Sequence, residues 1–117
     1  MASKKRRNNK YHAKKVRTVY GTFDSQKEYR RYLQLKTMQE MGVITDLELQ
    51  PSFLLIDKQY DHLGKILERA VRYIGDFSYI DSEGHFVVED AKGYRTPEYI
   101  IKRKLMLERH GIRVKEV

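Results

Sequence analysis

Asp76, Asp90 and Lys92 stand in the stretch Tyr73–Gly93, which otherwise reads as two apolar strands joined by a tight turn. Two acids and a lysine inside apolar strand runs conflict with burial. Such conflicts mark sites kept for chemistry. Carboxylates on neighbouring strands of one hairpin offer hard oxygen ligands to Mg2+ or Mn2+. The Ala91 carbonyl, between Asp90 and Lys92, could add another oxygen. Magnesium takes few protein carboxylates and fills its shell with water and phosphate oxygens. A lysine beside it would orient the nucleophile or offset charge on a phosphate. The bland alternative is an exposed ion pair at a sheet edge, which contributes little.

Strand periodicity sorts these residues into faces. On the first strand Tyr73, Gly75, Phe77 and Tyr79 face one way, and Ile74, Asp76, Ser78 and Ile80 the other. Asp81-Ser82-Glu83-Gly84 supplies the turn. On the second strand Phe86, Val88, Asp90 and Lys92 share a face, opposite Val87, Glu89 and Ala91. Asp90, not Glu89, is therefore the partner of Lys92.

The flanking elements must bring other groups to this hairpin. Ser25 is a good helix N-cap and Glu28 stands three residues on, as a capping box requires. That helix should run to about Met41 and stop at Gly42. Helical spacing puts Glu28 within the apolar arc of Tyr32 and Leu35. Glu28 thus has two readings, a cap that needs no chemistry and a third acid for the hairpin. Val16–Tyr20 suits a short strand ended by Gly21, and Leu47–Gln50 a strand ended by Pro51. Phe53–Ile56 is a further short strand. Residues 57–69 are polar and read as a loop or as a short helix after Gly64. Thr96-Pro97-Glu98 opens a second helix that runs to about His110 and ends at Gly111. Ile112–Val117 alternates as a closing strand. The expected architecture is a mixed α/β sandwich with helices flanking one central sheet.

Composition narrows the functional classes. At 117 residues the chain is one domain by size. It has no cysteine, which excludes disulfide scaffolds, thiolate zinc sites and cysteine nucleophiles. Its four histidines show no metal-site spacing. No apolar run approaches the ~20 residues of a membrane span, and no secretory signal is evident, so the expected location is the cytoplasm. The formal charge is +8. Lys4, Lys5, Arg6, Arg7, Lys10, Lys14, Lys15 and Arg17 account for eight of the 24 basic residues, which leaves 16 against all 16 acids in the remainder. Residues 1–15 thus read as a basic, extended arm before a single domain over 16–117. Such an arm gains phosphate contacts by counterion release, independent of sequence. Lys102 on the second helix is a further phosphate candidate.

Gly75-Asp76-Phe77 followed by Asp90-Ala91-Lys92 resembles the PD-(D/E)XK nuclease superfamily. The stretches FDSQKEYRRYLQLK, LELQP, YIGDFSYI and VVEDAKGYRTPEY look like a group of short phage and prophage proteins within it. They are also similar to TnsA-type transposon-end endonucleases and phage junction resolvases. The likeness covers about residues 10–117. It implies a restriction-endonuclease-like αβββαβ core, with Asp76 and Asp90 as metal ligands, Lys92 as the catalytic lysine and Glu28 as a supporting acid on the first helix. Gln50 would lie in a supporting shell. Glycine replaces the proline before Asp76. The resemblance implies a Mg2+-dependent endodeoxyribonuclease of phage DNA recombination or processing, selective for DNA structure, with a homodimer motivated by the single site per chain. The competing readings are a non-catalytic nucleic-acid-binding protein with a basic arm, and an RNA-processing or ribosome-associated protein of the same charge pattern.

Overall fold

Ser25 and Thr96 start the two helices as their side chains require. In the computed structural model, which describes residues 14–91 and 94–117, Ser25 has extended backbone and its Oγ accepts from the Glu28 amide at 3.1 Å. Helix α1 spans Gln26–Glu40 and gives way to Gly42, whose φ of 79° few other residues adopt cheaply. Thr96 Oγ1 accepts from the Tyr99 amide at 3.0 Å. Helix α2 spans Pro97–His110 and closes on left-handed Gly111. Arg109 and His110 in its last turn complement the helix dipole. Neither helix is long and apolar enough to cross a membrane.

Among the described residues, ten strands surround them. β1 (Val16–Thr18) and β2 (Gly21–Phe23) form a small hairpin. The strand expected over Val16–Tyr20 is therefore shorter. The chain turns at Val19-Tyr20, where Thr18 Oγ1 takes the Tyr20 amide, and returns as β2.

β3 (Thr45–Leu49), β8 (Phe77–Ile80), β9 (Phe86–Asp90) and β10 (Lys115–Glu116) make the central sheet in the order β10-β9-β8-β3. β9 and β10 are parallel, and the other pairs antiparallel. β4 (Ser52–Ile56) pairs with β7 (Val71–Ile74), and β5 (Gln59–Tyr60) with β6 (Ile66–Glu68). The mixed α/β expectation holds in this form. The closing strand is limited to Lys115–Glu116.

The segment 57–69 is a hairpin, neither loop nor helix. Asp61 Oδ1 accepts from the Leu63 and Lys65 amides, and Gly64 takes φ 84°. This is side-chain turn chemistry, and it reverses the chain before a helix can nucleate.

A cluster on each face fixes the layers. Leu35 of α1 packs with Phe23, Ile44, Phe77 and Tyr79. Tyr99 and Met106 of α2 pack with Leu55, Tyr73, Val88 and Val114. Phe77, Leu35 and Met106 are fully buried, and each such side chain contributes about 1.5–3 kcal/mol through removal from water.

Tyr73 and Phe77 therefore face different helices. The expectation of one continuous strand from Tyr73 to Ile80 fails at Gly75-Asp76. There β7 ends and β8 begins, and the interruption resets the alternation of faces. On β9 the expected faces hold. Val88 joins the α2 cluster and Val87 the α1 cluster.

Candidate active site

The strand break is shared by two neighbours. β3 passes into β4 through Gln50-Pro51 as β7 passes into β8 through Gly75-Asp76. Across it the Gly75 amide donates to the Pro51 carbonyl (2.9 Å) and the Gln50 amide to the Asp76 carbonyl (3.0 Å). The pairing thus continues through a common bend. Gln50 has a left-handed φ of 53°. A non-glycine residue held there costs of order 1–3 kcal/mol and persists where the surroundings demand it. Its backbone bond makes Gln50 a direct neighbour of Asp76.

Gly75 has its own reason. A Cβ there would lie 3.0 Å from Val88 Cγ1. A proline, in addition, would lose the N–H that bonds Pro51. The glycine before Asp76 is thus accounted for locally.

Asp76 is tied to the strands on both sides. Its amide donates to the Glu89 carbonyl at 3.0 Å, and its Oδ2 accepts from the Ala91 amide at 2.6 Å. Ala91 is itself buried. Asp90 is 3% exposed, and its Oδ2 accepts from the Tyr73 hydroxyl at 2.6 Å. Burial, then the bond to Asp90, pushes the Tyr73 phenol well above its ordinary range. Tyr73 therefore stays a neutral donor and fixes the Asp90 carboxylate. Nothing in the sequence distinguished Tyr73 from an ordinary core aromatic.

Glu28 is 5% exposed and sits on the first turn of α1. Its Oε1 accepts from the Asp24 amide at 3.0 Å, so the capping box closes one residue before the N-cap. Its carboxyl lies above the usual glutamate range. Burial is the largest cause, and the charges of Asp24 and Asp90 add to it. The Asp24 amide and a hydrogen bond with the Asp76 carboxyl act the other way. Glu28, Asp76 and Asp90 are thus electrostatic neighbours. The cap thus uses one oxygen of Glu28, while its carboxyl also senses Asp76 and Asp90.

Glu89 belongs elsewhere. It is fully buried, and Arg31 grips it with two bonds, Nε to Oε1 at 2.8 Å and Nη2 to Oε2 at 2.6 Å. The Tyr79 hydroxyl donates to the same Oε2. Adjacent acids on β9 thus point to opposite helices, with one carboxylate held by arginine and the other by tyrosine.

Lys92 lies outside the described residues, as do Lys4, Lys5, Arg6, Arg7 and Lys10 of the expected arm. Lys14 and Arg17 are exposed, and Lys15 bridges Asp24 at 2.9 Å on the surface. Lys102 bridges Glu98 one turn back at 3.1 Å. A tight group of ligating side chains also occurs at Asp81, Glu83 and His85, whose donor atoms lie within 4.8 Å of one another. Asp81 Oδ1 accepts from the Glu83 and His85 amides there, so turn geometry accounts for the cluster.

The raised Glu28 carboxyl has a measurable consequence. An acid whose folded pKa exceeds its unfolded value stabilises the fold fully only while protonated, below about pH 4.3. That stability is lost as pH rises through the folded value. Glu28→Gln keeps a side chain able to close the box and removes the charge. In EDTA, thermal melts should show the variant about 2–5 °C more stable than the parent at pH 8, and equal to it at pH 4. A variant less stable at pH 8 would mean that the carboxyls do not repel.

A family model described as "Protein of unknown function (DUF1064)" matches residues 8–116. No curated protein and no solved structure matches the chain.

Proposed function

We propose that this chain, which belongs to the family described as Protein of unknown function (DUF1064), is a divalent-metal-dependent DNA endonuclease with a core of the PD-(D/E)XK kind. The observation that carries the reading is the bend at Gly75-Asp76. It ties the Asp76 carboxylate to the Ala91 amide beside Asp90, within the electrostatic reach of Glu28. The element order α1, β3, β8, β9, α2, β10 agrees with the αβββαβ order implied by the resemblance.

The donor set suits Mg2+ or Mn2+. It is all oxygen, and a carboxyl pushed upward by burial and by neighbouring negative charge gains from a cation. Asp76 and Asp90 would hold the ion, with Glu28 as the third acid. Once bound, it would supply Lewis acidity toward a phosphodiester and an acidified water.

The chain's own groups do the rest. The Ala91 amide fixes one Asp76 oxygen, and the Tyr73 hydroxyl fixes one Asp90 oxygen. Held carboxylates of this sort need no rearrangement as charge develops. Lys92, next in the sequence after Ala91, would meet the charge on the phosphate. The basic residues 4–17 would bind the backbone without reading sequence. Cleavage selective for DNA structure fits this arrangement better than a fixed recognition site, and paired cuts would take two protomers.

The test is cleavage by the full chain of duplex, nicked, single-stranded and four-way-junction DNA. The expected result is cutting of at least one substrate with Mg2+ or Mn2+ and none in EDTA. Binding without cutting of any substrate under either metal would overturn the reading in favour of a non-catalytic binder.

A further inference from the structure

Beyond the carboxylates, α2 and the final strand enclose an open groove of about 550 Å3. Arg95, Arg103, Lys104 and Arg113 line it, with Glu116 as the acid among them. The Glu116 carboxylate is gripped from three sides. Arg95 Nε donates to Oε1 at 2.9 Å, while Arg103 Nη1 at 3.0 Å and the Tyr99 hydroxyl at 2.8 Å donate to Oε2. Two guanidinium groups and a phenol converging on one anion is the donor pattern that also receives a phosphate. Arg95 first, then Tyr99 and Arg103, hold the Glu116 carboxyl down to about 2. It is therefore an anion whenever nucleic acid is present. Among the described residues, Lys104 and Arg113 form no salt bridge, and both are exposed.

The groove adjoins the candidate site. Glu116 on β10 is the register partner of Asp90 on β9, and the Val117 amide donates to the Asp90 carbonyl at 3.1 Å. Tyr99 lies between them, feeling the charge of both carboxylates. A strand with one phosphate at Asp76 and Asp90 would have its next phosphates beside this row of cations.

We infer that the groove between α2 and β10 is a track for the phosphates of a nucleic-acid strand flanking the cleavage position, with Glu116 as the internal anion that occupies it when no strand is bound. The inference rests on the nuclease reading for its orientation, since that reading supplies the neighbouring phosphate. Glu116 limits affinity because an incoming phosphate must share or take its donors. Its removal therefore strengthens binding, whereas removal of Lys104 and Arg113 weakens it.

The experiment measures binding of the full chain to labelled duplex and single-stranded DNA in EDTA, over a range of salt. Lys104→Gln/Arg113→Gln alters two exposed side chains and should fold as the parent. Its affinity should fall about tenfold, and its salt slope on duplex should shrink by nearly two, one for each phosphate no longer neutralised. Glu116→Gln should bind several-fold tighter with a steeper slope. Lys58→Gln/Lys65→Gln on the exposed β5–β6 hairpin makes the same change in net charge and should stay within twofold of the parent. Equal losses in the two double variants, or a groove variant that binds as the parent does, would overturn the inference. Tighter binding to an acidic peptide than to either DNA would also overturn it. Cutting is scored separately with Mg2+. A chain that binds through the groove and never cuts overturns the nuclease and leaves the groove standing; one that cuts with the groove variant unaffected does the reverse.

Discussion

Asp90→Asn is expected to lower metal-dependent DNA cleavage by at least about 10²-fold, equivalent to ~2.7 kcal/mol or more in activation free energy, while the fold survives. The substitution keeps the shape of the side chain and an oxygen that can accept from the Tyr73 hydroxyl, now 2.6 Å from Oδ2. It removes the negative charge that would bind the ion. It also relieves Glu28, whose carboxyl is pushed upward partly by the Asp90 charge. The melting temperature in EDTA should therefore stay level or rise, and stabilisation by added Mg2+ should vanish, because a ligand stabilises only the state that binds it. Cleavage rates and melts with and without Mg2+ check both halves. A variant that cuts like the parent would remove Asp90 from the site. One that unfolds would make Asp90 a packing residue.

The contrast between Asp90 and its neighbour was readable in the sequence. Alternation along a strand is local and nearly inviolable, so Val88 and Asp90 had to oppose Val87 and Glu89, as they do. The helix starts were readable for the same reason, since Ser25 and Thr96 act on amides within three residues. The bend at Gly75-Asp76 was not. It depends on a matching interruption at Gln50-Pro51, far away in sequence, and on the close approach of Val88 to Gly75. Applying alternation through it put Tyr73 and Phe77 on one face, whereas they belong to different cores. That error hid the hydroxyl that holds Asp90. The groove was hidden similarly. Arg95, Arg103 and Arg113 are scattered along the chain and meet only because β10 returns parallel to β9. Glu28 was legible as a residue and ambiguous as a role, because a cap and a ligand make the same demand on the sequence.

Arg31→Ala is expected to be the most destabilising single change near the site, by about 3–5 kcal/mol. Against a typical total of roughly 5–15 kcal/mol for a domain, that is a loss of about 15 °C or more in melting temperature. Glu89 is fully buried and receives two of its hydrogen bonds from Arg31, at 2.8 and 2.6 Å. Without the guanidinium, a buried carboxylate would retain the Tyr79 hydroxyl as its described side-chain donor. The cost therefore arises from stranding a charge, and removing both charges should recover most of it. Arg31→Met/Glu89→Gln keeps an acceptor for Tyr79 and apolar length on α1, and should unfold in urea within about 1–1.5 kcal/mol of the parent. This cycle also bears on the chemistry. If Arg31→Ala were nearly neutral, Glu89 would not be pinned to α1, and the choice between the two acids of β9 would reopen. If the single variant collapses and the double variant stands and still cuts, Glu89 is a tie between sheet and helix, and Asp90 is left as the acid beside Asp76 that can hold a cation.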